Sequence, residues 1–132
     1  MINGIKLNIV QAVQRERAAA ETFSAGAYEA DKVLELLERP VLDTRVWVDE
    51  VSALAVADAE ELSQAMPGRV RLEREDRVLT HCWVLWEGVR ELALAGPAER
   101  CYQLDPYAGI IVFGDGIHGR VPPEGRENIR LD

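Results

Sequence analysis

Hydrophobic and polar positions alternate most clearly from Thr44 to Val51. There TRVWVDEV places Val46, Val48 and Glu50 on one side and Arg45, Trp47 and Asp49 on the other. A two-sided strand of this kind suits a sheet with one face covered and the other partly exposed. Two further runs, VRLERED from Val70 and RVLTHCWVLWEGV from Arg77, predict an antiparallel pair with its turn at Glu75 and Asp76. Shorter β-like pieces cover Cys101 to Leu104 and Ile110 to Phe113, separated by the turn sequence DPYAG at 105–109. Residues 2–10, INGIKLNIV, also read as a strand. NIRLD at 128–132 looks like the first half of a strand, left without a partner, as if the chain were part of a longer one.

Helical signals are fewer. QAVQRERAAAETF at 11–23 favours a helix by propensity, but Ala12, Ala18, Ala20 and Phe23 fit either period. A turn is expected over Ser24–Ala27. EADKVLELLER at 29–39 reads as a helix with Val33, Leu34 and Leu37 on one side, or as a strand over KVLELL, with Pro40 as the break. Asp58 and Glu61 have capping-box spacing for a short helix over 58–66 that stops at Pro67-Gly68. The fold class expected is mainly β, with α+β as the alternative. It is a compact antiparallel sheet domain with hairpins, one short helix near 58–66 and a glycine-rich loop at 114–119.

That loop is the most distinctive stretch. Ile110 to Phe113 runs into GDGIHGRVPP, and Gly114, Gly116 and Gly119 spell G-x-G-x-x-G after a strand. A dinucleotide-binding loop must open a helix, because helix N-terminal amides hold the pyrophosphate. Here Arg120, Val121, Pro122 and Pro123 follow. Pro123 restrains Pro122 to an extended conformation, and neither proline donates an amide hydrogen bond. The stretch reads as a strand leaving the core through a loop, with no cofactor.

The chain of 132 residues fits one domain, with residues 1–37 as an N-terminal arm, and its 48% apolar content argues against global disorder. A net charge of −8 opposes nonspecific binding to nucleic acid or to an anionic membrane surface. Arg69, Arg71, Arg74 and Arg77 are interleaved with Glu73, Glu75 and Asp76, as on a mixed, solvated face. Cys82 and Cys101 are isolated among apolar or aromatic neighbours, as buried free thiols are. No apolar stretch reaches 18 residues.

Candidate chemistry is sparse. His81 and Cys82 are adjacent, so on a strand they point to opposite faces and form no dyad. Asp115 and His118 are two ligands where a metal wants three or four. Asp49–Glu50, Glu60–Glu61 and Glu75–Asp76 are carboxylate pairs suited to a cap, a turn or a strand edge rather than to acid–base work. A hydrolase using the 115–118 loop would need a nucleophile to converge there. The aromatics carry more information. Trp83 and Trp86 are three apart and face opposite ways on a regular strand, and Trp47 adds a third indole. They are either core or an interface, and an exposed row of them would suit a carbohydrate-stacking platform.

Taken with its flanks, the loop resembles a known signature. Tyr102, Leu104 and Asp105, the run Phe113 to Gly116, His118 to Arg120, Pro122 and Pro123, Gly125, and Asn128 to Arg130 resemble the baseplate assembly proteins. These are the J-like wedge components of contractile phage tails and related injection systems. ERPVLDTRVWVDE at 38–50, Trp86, Val89 and GPAERCYQLD extend the resemblance over most of 38–130. It implies a structural protein without enzymatic activity, assembled in the bacterial cytoplasm into a phage or phage-like particle. Its partners would be wedge and hub proteins, with self-association through open strand edges. It also shifts the expectation for 5–20 and 30–37 toward strands. In this reading Gly109, Phe113, Gly114, Asp115, Gly116, His118, Gly119, Arg120, Pro122 and Pro123 form a structural loop. Gly114, Gly116 and Gly119 permit special angles or close approach, Asp115 caps the turn and Arg120 fastens the loop. Trp47, Trp83 and Trp86 are its interface candidates.

Overall fold

The computed structural model describes residues 21–36 and 44–132. Eight strands build one sheet: β1 (Glu21–Ala25), β2 (Val33–Glu35), β3 (Val46–Asp49), β4 (Val70–Glu75), β5 (Val78–Val89), β6 (Cys101–Asp105), β7 (Ile110–Phe113) and β8 (Gly125–Leu131). One helix, α1 (Val56–Ala65), lies between β3 and β4. The fold is mainly β, as its alternating runs predict.

The order is β1-β8-β3-β5-β6-β7-β2, with β4 paired to β5. β5 organises it. Its residues 78–84 pair with β4, residues 83–86 pair with β3, and residues 87–89 pair with β6. A strand of 12 residues rich in β-branched and aromatic side chains is long enough to serve three neighbours. The β5–β6 pair is parallel, so the sheet is mixed rather than wholly antiparallel. Val46, Val48, Val84, Ile111, Phe113 and Ile129 are fully buried on its inner face. Trp86 packs edge-on against Phe113 there, with ring centroids 5.6 Å apart, and Tyr102 meets the same ring. Burying each such large side chain stabilises the fold by about 1.5–3 kcal/mol.

The β4–β5 hairpin forms as predicted, but its turn is displaced by one residue. Asp76 and Arg77 occupy the centre with φ of 52° and 69°, the left-handed pair of a type I′ turn. β5 then carries an extra residue: Glu73 pairs with His81 but Arg74 with Leu79, and the Thr80 hydroxyl donates to the Glu73 carbonyl.

Other expectations need correction. Residues 33–35 form a strand against β7, the extended alternative toward which the resemblance shifts 30–37, so pairing overrides the helical propensity of 29–39. Ser24 and Ala25 belong to β1, and the turn follows them. α1 starts at Val56, two residues early. Ala55 is its N-cap without a side-chain bond, and Asp58 lies inside the first turn, where its charge faces the helix dipole. All four residues of β3 are buried, so both its faces are covered. β8 is a seven-residue strand between β1 and β3, so it leaves no open edge at the C-terminal strand. The readings of 2–10, most of 11–23, and Pro40 lie outside the described residues.

Candidate interaction surface

The loop after β7 is held by its own backbone. Gly116 N–H donates to the Gly119 carbonyl at 2.9 Å, and Gly119 N–H to the Gly96 carbonyl at 2.9 Å. A Cβ at Gly114 would run into the Gly119 backbone, and one at Gly116, where φ is +91°, into the Tyr28 hydroxyl. Asp115 Oδ1 accepts the amides of Ile117 and His118, both at 2.8 Å. Those amides, His118 first, hold its carboxyl below the usual carboxylate range. Arg120 donates from Nε to the Ala98 carbonyl at 3.0 Å and from its backbone N–H to Glu99. Burial draws its guanidinium below its ordinary range, and the neighbouring Arg100 charge adds to this. Tyr28 donates its hydroxyl to the Asp115 carbonyl, tying the loop to the turn before β2. A shallow cavity of about 340 Å³ lies beside it, lined in part by Tyr28, Arg120, Pro122 and Pro123.

Gly119 leads into extended chain and then β8, so no helix amides converge as a phosphate site requires. Asp115 and His118 are brought together, but through backbone amides: the carboxylate is spent on capping a turn. Gly109, at φ 69°, closes the preceding turn, where Asp105 Oδ1 accepts the amides of Tyr107 and Ala108. Phe113 belongs to the core.

Downstream, β8 contains a second device. Glu127 sits at φ 49° in an irregularity opposite β1, and its N–H reaches the Ser24 hydroxyl at 2.7 Å. Asn128 bridges the distortion, accepting from Ala25 N–H and donating to the Pro123 carbonyl. Gly125 leaves room for that amide, since its Cβ would come within 2.7 Å of Asn128 Nδ2.

The three tryptophans separate by strand parity. Trp86 faces inward, and its indole donates to Glu50 Oε2 at 2.9 Å. Arg100 grips the same carboxylate through two bonds of 2.8 and 3.0 Å, so a buried acid is fully engaged. Trp47 and Trp83 lie on the outer face. Trp47 is directly opposite Leu85, and Trp83 opposite Asp49, so the two indoles are diagonal neighbours on adjacent strands. Both are almost wholly buried. Arg71 of β4 sits 4.2 Å from the Trp47 ring centre, and Arg130 of β8 sits 4.5 Å from that of Trp83.

The two arginines cross. Arg71 is paired in register with Trp83, and Arg130 with Trp47, yet each covers the other's neighbour. Cation–π contacts of this kind contribute about 0.5–1 kcal/mol at exposed sites. His81 stacks on Trp83 with ring centroids 5.5 Å apart, and its Nδ1 lies 2.6 Å from Asp49 Oδ2. Asp49 Oδ1 also accepts the amides of Val51 and Cys82. A carbohydrate platform needs open indole faces, and here guanidinium groups occupy them.

Comparison with family models, with curated proteins and with solved structures finds no match for this chain.

Sequence reasoning missed the two carboxylate clusters. Asp49 and Glu50 looked like a strand-edge pair, but alternation sends these two buried acids to opposite faces, each to its own partner set. Two adjacent acids ending an apolar strand were the available signal. Arg71 is exposed, as a solvated face requires, and it also lies over an indole, which the sequence did not show.

Proposed function

We propose that this chain is a structural component of the baseplate of a contractile phage tail or related injection system, acting through protein–protein contacts in the wedge. What supports the reading is the use to which the resembling residues are put. Gly114 and Gly119 meet backbone to backbone, Asp115 caps, Arg120 fastens the loop to the 98–99 segment, and Gly125 with Asn128 shapes β8. Each has an architectural task, which is what a scaffold domain requires and what a substrate pocket does not.

Affinity capture of the native protein from the bacterial cytoplasm, with mass spectrometry and electron microscopy of the eluate, tests the proposal. Sheath, hub and wedge proteins recovered in baseplate-like particles are the expected result. A monomer that brings down no tail component removes the baseplate assignment.

A further inference from the structure

The outer face of the sheet combines two observations of independent kind. The first is charge. On a chain of net charge −8, Arg71 and Arg130 are exposed and have no carboxylate partner among the described residues. They are held over adjacent indoles, with His81 beside them at 45% side-chain exposure. Glu73 stands across from His81 at the turn end of the face, and Asp132 is paired with Arg45 at the other, so the positive charge without a carboxylate lies between them at Arg71 and Arg130. The second observation is polar bookkeeping. Among the described residues, the buried side-chain nitrogens and oxygens without a hydrogen-bond partner are Trp47 Nε1 and Trp83 Nε1, both on this face. Buried donors are ordinarily satisfied, so a pair of orphans beside guanidinium groups that have no carboxylate among the described residues calls for an acceptor.

We propose that this face binds an extended acidic segment of a partner protein, with carboxylates at alternate positions. The spacing supports that occupant. Diagonal neighbours across a sheet are about 7 Å apart, close to the distance between alternate residues of an extended peptide. The two guanidinium groups stand over that diagonal pair of indoles, Trp47 and Trp83, so two successive same-side carboxylates can reach them, and their forked donors match a carboxylate better than an ammonium would. The chain's overall negative charge weakens nonspecific attraction for any polyanion, so binding rests on the local arginine pair, and the oligonucleotide arm of the test separates the two kinds of anion. This inference stands on the outer face alone and does not depend on the baseplate reading.

The test titrates the full chain with a short peptide of alternating glutamate and threonine, against a glutamine-for-glutamate control and an oligothymidylate. Binding is read by fluorescence anisotropy and by the indole N–H resonances of the ¹⁵N-labelled chain. The glutamate peptide is expected to bind and to weaken with salt, shifting the Trp47 and Trp83 resonances and leaving Trp86 in place. Arg71→Gln with Arg130→Gln is expected to lower affinity about tenfold or more, with a fall in melting temperature no larger than the loss of two exposed cation–π contacts explains. Should that pair unfold, the resonance pattern of the unaltered chain decides. Equal binding of the glutamine peptide, movement of Trp86 alone, or tighter binding of the oligonucleotide overturns the proposal. So does self-association through this face that excludes the peptide.

Discussion

The two faces of the β3–β5 pair carry the same materials and finish them differently. Each has a tryptophan from β5 and an acid from the end of β3. Inside, Glu50 accepts the Trp86 indole and the Arg100 fork, and among the described residues no buried side-chain nitrogen or oxygen of that cluster is left without a partner. Outside, Asp49 takes His81 and two backbone amides, while Trp83 and Trp47 keep unpaired donors beneath arginines. The inner cluster is complete within the chain; the outer one is complete only in its acid. A closed network stabilises and specifies a fold, whereas a cluster with spare donors on a charged surface is suited to an interface.

Breaking the inner cluster should produce the largest effect. Arg100→Met leaves the Glu50 carboxylate buried with only an indole partner, which should destabilise by about 3–5 kcal/mol. Glu50→Leu added to Arg100→Met should recover much of that loss, since removing both charges avoids the orphaned one. Urea denaturation of the single and double variants measures the difference. Equal losses in both would show that the pair does not act as a buried unit.

The outer acid comes next. Asp49→Ala removes the acceptor for two amides and for His81, and should cost about 1–3 kcal/mol by leaving buried donors unmade. His81→Ala should cost less, because its ring is half-exposed. A His81 variant as damaging as the Asp49 one would place the weight of the cluster on the histidine instead.

Replacing each indole by phenylalanine sharpens the contrast directly. Trp86→Phe removes a bond to a charged group worth about 1.5–3 kcal/mol and opens space beside Phe113. Trp83→Phe and Trp47→Phe remove donors that have no partner, so their cost should be confined to packing and arginine contact. The prediction is the larger melting-temperature drop for Trp86→Phe. Three equal drops would mean that the outer indoles are as engaged as the inner one.

These differences explain how far the sequence could be read. The strands of the 70–113 region follow from alternation, and opposite facing of Trp83 and Trp86 follows from parity alone. The glycine loop was legible because Gly114, Gly116 and Gly119 carry out backbone tasks that leave a pattern in the sequence. What stayed hidden depends on pairing between distant segments. Glu50 meets Arg100 across fifty positions, and the crossing of Arg71 and Arg130 requires β8 to lie beside β3. The strand at 33–35 was obscured for the same reason: its local pattern suits a helix, and only β7 makes it extended. The left-handed turn at Asp76-Arg77 lacks the glycine or asparagine that would announce it.

The smallest perturbation uses Cys82, which sits on the inner face between His81 and Trp83, two outer residues. Burial pushes its thiol up to about 11, with the Glu50 and Asp49 charges adding and Arg100 opposing. At mildly alkaline pH the native thiol should therefore resist a disulfide reagent, and labelling should track opening of the fold. Arg100→Met provides the decisive arm. Loss of the arginine removes the one charge that favours the thiolate, so an intact variant should label no faster. Faster labelling of that variant must then come from opening of the inner face, and it should scale with the measured loss of stability. Arg71→Gln with Arg130→Gln, which removes two exposed cation–π contacts, should raise the labelling rate far less than Arg100→Met does. If the outer pair accelerates it as much as Arg100→Met does, the two faces open together, and the distinction between a closed inner cluster and an available outer one fails.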